Sequence, residues 1–171
     1  MIIFSLFEIN NIIGEIRNFK NPNKESLFFN NVSIDSRKIA RDDLFISIRG
    51  KIFDGHSFLK EVIRKGVKAV VIKEGNQKLL PPDFPYWVVP DTLEALQKLA
   101  LLKRQKLNLP VVAITGSVGK TTTKEMLGEV LKSYGKTKIS YSNNNNEIGL
   151  ALTILDTDSD HKALILEMGM R

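Results

Sequence analysis

The residues best suited to chemistry by their type and spacing lie in the segment Thr115–Thr122, which has the sequence TGSVGKTT. The β-branched residues Val111, Val112 and Ile114 precede it and predict a buried strand, and Thr122–Leu127 predicts the start of a helix. A strand, a glycine-containing turn and a helix N-terminus form an anion site, because free backbone N–H groups and the positive end of the helix dipole converge there. The segment therefore predicts a phosphate-binding loop.

Two side chains of this loop suggest what it binds. Lys120 would add a full positive charge for the β- and γ-phosphates of a nucleotide, and the Thr121 hydroxyl would ligate Mg²⁺. The usual pattern GxxxxGK[ST] needs glycine at position 114, where this chain has isoleucine, so only its second half matches, and Gly116 replaces the first glycine. A glycine-containing connection with a coincidental lysine is the alternative. The flanking strand and helix favour a nucleoside triphosphate site.

A carboxylate near the end of the sequence extends this prediction. The apolar run Ala163–Leu166 predicts a buried parallel strand, and Glu167 follows it directly. An acidic residue at the end of a strand beside a phosphate-binding loop is placed to bind Mg²⁺. The alternative is a strand-end acid that faces water. Only Met168–Arg171 follow, without the helix that a parallel sheet needs to cover its last strand, so we expect a fragment of a longer enzyme.

The pattern of the remaining sequence divides into two parts that would position these groups. The second part alternates strands and helices as β-α-β-α-β, which is half of a doubly wound parallel sheet. The first part predicts an amphipathic helix over 5–17 with a capping box at Ser5 and Glu8. Further predicted elements are strands over 32–35, 44–48, 67–72, 86–89, 111–114, 138–141 and 163–166, and helices over 56–65, 92–106 and 148–155.

These elements predict an α/β fold with two domains. A small α/β amino-terminal domain would span 1–89, and the first half of a P-loop parallel-sheet ATPase domain would span 90–171. The chain has 171 residues, 43% of them hydrophobic, so it can bury one or two modest cores. We expect a monomer.

Composition narrows the class of partner and the compartment. The net charge of +6 favours phosphorylated ligands, and the scattered lysines without interleaved aromatic residues argue against a nucleic acid. The sequence has no cysteine, which suits a reducing compartment. It has no apolar run near the roughly 18 residues of a membrane span, and its start lacks the basic region of a signal peptide. A cytoplasmic location is expected.

The motifs together resemble the Mur ligase family over nearly the whole chain. The loop in Val111–Thr123 is similar to the ATP loop of these enzymes, whose core Thr-Gly-x-x-Gly-Lys-Thr has no earlier glycine. The amino-terminal part follows the family's order of motifs. The matching segments are Asp35–Arg37 (DSR), Leu44–Gly50, Asp54–His56 (DGH), Gly66–Val71, Asn145–Gly149, Leu152–Thr153 and Glu167–Gly169. The last three resemble the family branch that adds D-alanyl-D-alanine.

The resemblance implies a cytoplasmic step of peptidoglycan synthesis. ATP would phosphorylate the terminal carboxylate of a UDP-MurNAc-tripeptide, and the amino group of D-Ala-D-Ala would attack the acyl phosphate. It assigns Lys120 to the transferring phosphate as the catalytic residue, and Thr121 and Glu167 to Mg²⁺. The residues implied to bind ATP are Thr115, Gly116, Ser117, Val118, Gly119, Lys120, Thr121 and Thr122.

The resemblance also implies a site for the UDP-sugar substrate. Its residues would be Ser36, Arg37, Asp54, Gly55, His56, Asn145 and Asn146. For Arg37 the alternative is a surface arginine that closes a turn, and for His56 it is a residue at the start of a helix. For the asparagines it is a polar tract over 143–146. His161 lies in a polar turn and is expected to be solvated.

Two other functions are compatible with these motifs. One is a sister Mur ligase that adds a diamino acid to the UDP-MurNAc-dipeptide and shares the DSR, DGH and GKT elements. The other is a non-catalytic nucleotide-binding module that would be complete at Arg171 and would have no affinity for a UDP-sugar. Much of a Mur ligase would lie beyond Arg171, so these residues alone are expected not to ligate.

Overall fold

The computed structural model describes residues 4–20, 28–50, 52–141 and 145–169. The described residues form two compact units, which divide between Leu99 and Ala100. This division lies inside the helix Thr92–Lys106, further along the chain than the predicted boundary at 89–90. The functions assigned to the two domains stay predictions.

The first unit opens with a short strand and a capped helix. Strand β1 is Phe4–Ser5 and helix α1 is Leu6–Ile13. The predicted capping box is present, because the Glu8 N–H donates to Ser5 Oγ (3.3 Å) and the Ser5 N–H donates to Glu8 Oε2 (3.0 Å). The helix is shorter than the prediction of 5–17, since it ends at Ile13 before Gly14.

A four-stranded parallel sheet forms the core of the first unit. The elements of this unit that follow α1 are β2 Phe28–Phe29, β3 Val32–Ser33, β4 Leu44–Ile46, α2 Leu59–Arg64, β5 Ala69–Lys73 and β6 Tyr86–Val89. The order of strands in the parallel sheet is β3-β4-β5-β6, and a separate two-stranded antiparallel sheet joins β1 to β2. A 3₁₀ turn over Gly55–Phe58 leads into α2 between β4 and β5.

The apolar side chains of this sheet and of α2 bury one another. Phe45 of β4 and Val70 of β5 pack with Leu59 and Val62 of α2, and all four are almost inaccessible to water. Each buried side chain of this size contributes about 1.5–3 kcal/mol to folding. The packing fixes the carboxyl end of β4, after which the polar residues of the DGH motif follow in the chain.

Helix α3, Thr92–Lys106, is the longest helix in the described residues, with 15 residues. Its bounds agree with the predicted helix. Lys103, Arg104 and Lys106 lie in its last turn, where cations complement the negative end of the helix dipole. Among the helices of the described ranges, none combines the length and the apolar character needed to cross a membrane.

The second unit contains a three-stranded parallel sheet with the predicted alternation of strands and helices. Its elements are β7 Val111–Ile114, α4 Lys120–Lys132, β8 Thr137–Ile139, α5 Glu147–Leu155 and β9 Ala163–Glu167. The strand order is β7-β9-β8, so the last strand in sequence is the central one. All five residues of β9 are buried. The parallel α/β architecture that the sequence predicts is thus confirmed.

Candidate nucleotide and metal site

The phosphate-loop segment and Glu167 lie at the same edge of the second sheet. Strands β7 and β9 are parallel neighbours, and Ile114 at the end of β7 is in register with Glu167 at the end of β9. The Met168 N–H donates to the Ile114 carbonyl oxygen at 2.8 Å, which extends the pairing past the strand end. The loop that leaves β7 therefore starts beside the carboxylate that the sequence predicts as a metal ligand.

Two glycines let the backbone turn from the strand into the helix. Gly119 has φ +80° and is the N-cap of α4, and Gly116 has φ +145°. Residues with a β-carbon rarely adopt such angles. The first backbone bond of the helix runs from the Thr123 N–H to the Gly119 carbonyl oxygen (2.9 Å). The amides of the first turn consequently point out of the helix end, where an anion can accept hydrogen bonds from them.

Lys120 directs its side chain back onto the loop. Its Nζ donates to the Gly116 carbonyl oxygen at 2.6 Å, and the residue is half-buried. The neighbouring positions Thr115, Ser117, Val118 and Thr122 are all exposed to solvent. The loop thus presents an ammonium group, a helix N-terminus and an accessible backbone on one surface, which is the donor set that a polyphosphate requires.

Glu167 is the centre of a buried polar cluster. Its Oε2 accepts a hydrogen bond from Thr121 Oγ1 (3.0 Å) and lies 3.1 Å from Lys124 Nζ. Its Oε1 accepts from Asn145 Nδ2 at 3.3 Å. Its own N–H donates to Ser140 Oγ at 2.9 Å. The cluster joins α4, β8 and β9 with the segment that precedes α5.

The surroundings of Glu167 favour its charged form. Burial alone would raise the pKa of its carboxyl group, since a charge loses its hydration there. The hydrogen bonds from Lys124, Thr121 and Asn145, with the charge of Lys124, outweigh burial and hold that pKa below its ordinary value. Glu167 is consequently an ionised acceptor in the neutral pH range.

The donor set at this position fits Mg²⁺. The Thr121 hydroxyl oxygen and the Glu167 carboxylate are hard oxygen donors, and their oxygens lie 3.0 Å apart. Mg²⁺ binds through few protein oxygens together with water and substrate phosphates. The alternative interpretation of Glu167 as an acid that faces water is wrong, because its side chain is only 4% exposed.

Sequence reasoning missed two members of the cluster. Lys124 is completely buried, and Ser140 is almost so. Lys124 lies one helical turn after Lys120, so it shares that face of α4, and this spacing could have indicated it. Ser140 follows β8 and carries no local signal, because its position beside Glu167 depends on the pairing of β8 with β9.

The two asparagines with a predicted sugar contact have partners inside the protein. The Asn145 side chain donates to Glu167, and the backbone carbonyl oxygen of Asn145 accepts from the Gly169 N–H (2.8 Å). Asn146 is the N-cap of α5, and its Oδ1 accepts from the Gly149 N–H at 2.8 Å. Their contact with the sugar substrate stays a prediction, and Asn143 and Asn144 lie outside the described residues.

His161, by contrast, does not have the predicted solvated environment. Its side chain is buried, and its Nδ1 accepts a hydrogen bond from the Asp158 N–H at 3.0 Å. The expectation rested on the polar residues beside it in sequence. This hydrogen bond closes the turn between α5 and β9 and holds the imidazole ring in its buried position.

The DSR motif forms a compact ion pair in the first unit. Arg37 donates from Nε and Nη2 to the two carboxylate oxygens of Asp35, at 2.9 and 2.8 Å. The hydrogen bonds from Arg37 lower the pKa of Asp35 to about 2. The Ser36 carbonyl oxygen accepts from Lys65 Nζ at 2.7 Å. The Arg37 side chain is exposed and closes a turn, so a ligand can reach its guanidinium group.

The DGH motif is built around a buried histidine. Asp54 Oδ1 lies 2.6 Å from His56 Nδ1 and also accepts from the His56 N–H (3.0 Å). On the other side of the ring, Nε2 accepts from the Lys73 N–H at 3.1 Å. Because Nε2 is the acceptor, these partners assign the ring proton to Nδ1. Both ring nitrogens are thus used within the protein.

The charges near Asp54 and the close packing at Gly55 also shape the DGH motif. Burial would raise the pKa of Asp54, but the hydrogen bonds from His56 and the nearby Arg49 hold that pKa below its usual value. A β-carbon on Gly55 would come within 2.8 Å of the Ile48 nitrogen, so only glycine fits there. The DSR and DGH segments follow the carboxyl ends of adjacent parallel strands β3 and β4. Ligands of open α/β sheets bind outside such ends.

Both parts of the chain match models of known protein families. Residues 29–104 match the model of the Mur ligase family, catalytic domain, and residues 114–171 match the Mur ligase middle domain. A curated relative from Synechocystis sp., a UDP-N-acetylmuramoyl-tripeptide–D-alanyl-D-alanine ligase, is 38% identical over 167 residues. That alignment covers 98% of this chain and 37% of the relative. The chain thus spans about a third of the length of the curated relatives it matches.

Solved structures show the same similarity. A crystal structure of MurF from Acinetobacter baumannii superposes with a TM-score of 0.85 at 29% identity, over 99% of this chain and 36% of that one. A MurF ligase from Thermotoga maritima in complex with ADP superposes with a TM-score of 0.71 at 34% identity. This second match covers 81% of this chain and 32% of that one.

Proposed function

Since this chain belongs to the Mur ligase family, we propose that the natural protein containing it is an ATP-dependent amide-bond ligase of peptidoglycan precursor synthesis. It would act in the cytoplasm and join D-Ala-D-Ala to a UDP-MurNAc-tripeptide. The observation that carries this proposal is that the Thr121 hydroxyl lies beside the Glu167 carboxylate. Thr121 Oγ1 and Glu167 Oε2 are 3.0 Å apart, next to the loop that bears Lys120. Such an arrangement is suited to a metal–nucleotide complex.

The proposed reaction has two steps. A carboxylate oxygen of the tripeptide attacks the γ-phosphorus of ATP and ADP leaves, which gives an acyl phosphate. The amine of D-Ala-D-Ala then attacks the acyl carbon to form a tetrahedral intermediate, which collapses to the amide with loss of phosphate and a proton. Activation is needed because a carboxylate is a poor electrophile until phosphate becomes its leaving group.

The residues of the second unit would hold the anions of the first step. The ammonium of Lys120 and the amides at the start of α4 would bind the β- and γ-phosphates and offset their charge as it shifts toward ADP. Thr121 and Glu167 would hold Mg²⁺, which when bound supplies further positive charge to the phosphate oxygens. Gly116 and Gly119 would let the backbone approach the phosphates closely.

The first unit would bind the UDP-sugar part of the substrate. Ser36, Arg37 and the DGH segment would line this site, and their position after adjacent strand ends supports the assignment. Arg37 offers an exposed guanidinium group for a phosphate. His56 would act by holding Asp54 and the end of β5 in place, because its ring nitrogens bond to Asp54 and Lys73. Asn145 and Asn146 of the second unit would also contact the sugar substrate.

Release of phosphate by the natural full-length protein tests the proposal. It should require ATP, Mg²⁺, the UDP-MurNAc-tripeptide and D-Ala-D-Ala together, and the product should carry the new amide. Lys120→Ala should lose at least a hundredfold in rate, whereas Lys132→Ala, a change at an exposed lysine of the same helix, should match the wild type. Ligation of a diamino acid to the dipeptide precursor instead would assign the protein to the sister activity.

A further inference from the structure

Lys124 is a buried charged residue of the second unit that the proposed reaction does not use. It belongs to helix α4, and its side chain is fully inaccessible to water. Its Nζ lies 3.1 Å from Glu167 Oε2 and 3.5 Å from Glu125 Oε1. An ammonium group is costly to bury without a counter-charge, so this pairing with Glu167 is a strong constraint on both side chains.

The pairing changes what Glu167 offers to a metal ion. The same oxygen, Oε2, faces both Lys124 and the Thr121 hydroxyl. A divalent cation that approaches this oxygen is attracted by the carboxylate and repelled by the ammonium beside it. Lys120 adds a second positive charge to the loop, while Glu125 is more than half exposed and therefore well screened by water. The protein alone supplies little net attraction for a cation.

A nucleotide would reverse this balance, because its polyphosphate brings several negative charges to the loop. Resting on the function proposed above, we propose that Lys124 makes metal binding at Glu167 conditional on the nucleotide. Its charge suppresses the binding of a free divalent cation, so that the metal binds together with ATP. Lys124 acts through Glu167 and does not touch the reacting atoms.

A purely structural role for Lys124 has different consequences. If the lysine only attached α4 to β9, its loss would lower stability and loosen Glu167, and the affinity for free metal would fall or stay unchanged. The electrostatic role predicts the opposite direction, since a carboxylate freed from its ammonium partner attracts the cation more strongly. The sign of the change in metal affinity therefore separates the two roles.

The experiment uses Mn²⁺ as a paramagnetic substitute for Mg²⁺, titrated into the natural full-length protein with and without ADP. Glu167→Gln provides the background from other carboxylates, and only binding above that background is counted. The wild type should bind Mn²⁺ at least tenfold more weakly without ADP than with it. Lys124→Met should bind free Mn²⁺ at least tenfold more tightly than the wild type.

Two variants control for charge and position. Lys124→Arg keeps the positive charge and should retain the dependence on ADP. Lys132→Met removes a lysine from the same helix, where it pairs with Glu129 in solvent, and should behave as the wild type. Lys124→Gln, which is polar and of similar length, repeats the measurement if the methionine variant does not fold.

The outcomes are distinguishable from a failure of the proposed function. Wild-type protein that binds free Mn²⁺ at Glu167 as tightly as in the presence of ADP overturns the role of Lys124, and this test needs no lysine variant. Lower or unchanged free-metal affinity in folded Lys124→Met or Lys124→Gln overturns it as well. Absence of ADP binding under every condition would instead overturn the nucleotide site.

Discussion

Replacing Glu167 by glutamine should destabilise the second unit by leaving Lys124 without its main counter-charge. Breaking a buried ion pair by removal of one partner costs about 3–5 kcal/mol. One feature of the structure lowers that figure, because Glu125 remains 3.5 Å from Lys124 Nζ. Such an exposed partner recovers up to about 1 kcal/mol, so we expect a loss of about 2–4 kcal/mol.

A double-mutant cycle isolates this interaction. Lys124→Met alone should cost about 1–2 kcal/mol, because Glu167 keeps its hydrogen bonds from Thr121 and Asn145. The double variant Glu167→Gln/Lys124→Met buries no charge at this place. It should therefore lie within about 1 kcal/mol of the wild type, with a coupling energy of at least about 2 kcal/mol.

Native-state hydrogen exchange of the β9 amides is the suitable assay, because these amides belong to the centre of the second sheet. Trp87, the only tryptophan of the chain, lies in the first unit, so its fluorescence transition in urea serves as a control for that unit. A double variant whose destabilisation equals the sum of the two single changes would refute the reasoning, since the two charges would then be independent.

Three further predictions concern single side chains. Lys120→Ala should weaken ADP binding at least tenfold in calorimetry while leaving the urea midpoint unchanged, because in the described part of the chain its ammonium bonds to the Gly116 carbonyl oxygen of the loop and not to the packed core; a lower midpoint would contradict this. Asp35 should titrate near pH 2 by carboxyl NMR, and Arg37→Ala should raise its pKa toward 3.8. Its contribution to stability is therefore complete above about pH 4 and is lost as the pH falls through about 2; an unchanged pKa in the variant would exclude Arg37 as the cause. His56→Ala should cost about 1–3 kcal/mol and speed exchange of the Lys73 amide, which loses its acceptor; continued protection of that amide would show that the bond is dispensable.

The parts of the fold that depend on local sequence could be predicted. The strand, glycine turn and helix around Gly116–Lys120 are adjacent in the chain, so their spacing alone predicts this local geometry. The bounds of β6 and α3 agree with the prediction because turn residues flank both elements. The helix predicted over 56–65 begins instead as a 3₁₀ turn, because the Asp54 side chain bonds the His56 N–H and caps the segment earlier.

The composition of the polar cluster could not be predicted in the same way. Glu167 was identified from its place at a strand end, but its partners come from α4, from the end of β8 and from the segment before α5. Only the pairing of β8 with β9 brings Ser140 to the Glu167 amide. His161 was assigned to solvent for a similar reason, since polar neighbours in sequence do not reveal a hydrogen bond that closes a turn over the ring.

The central position of β9 has a consequence for the order in which this unit can be built during synthesis. Strands β7 and β8 leave the ribosome first, yet in the described sheet each pairs with β9 and not with the other. A nascent chain that ends before Ala163 therefore contains the phosphate loop and α4, but it lacks the strand that joins β7 to β8 in the sheet. Lys124 gains its main counter-charge only when Glu167 arrives. The sheet and the buried ion pair should thus form together, as one late event in the folding of the second unit.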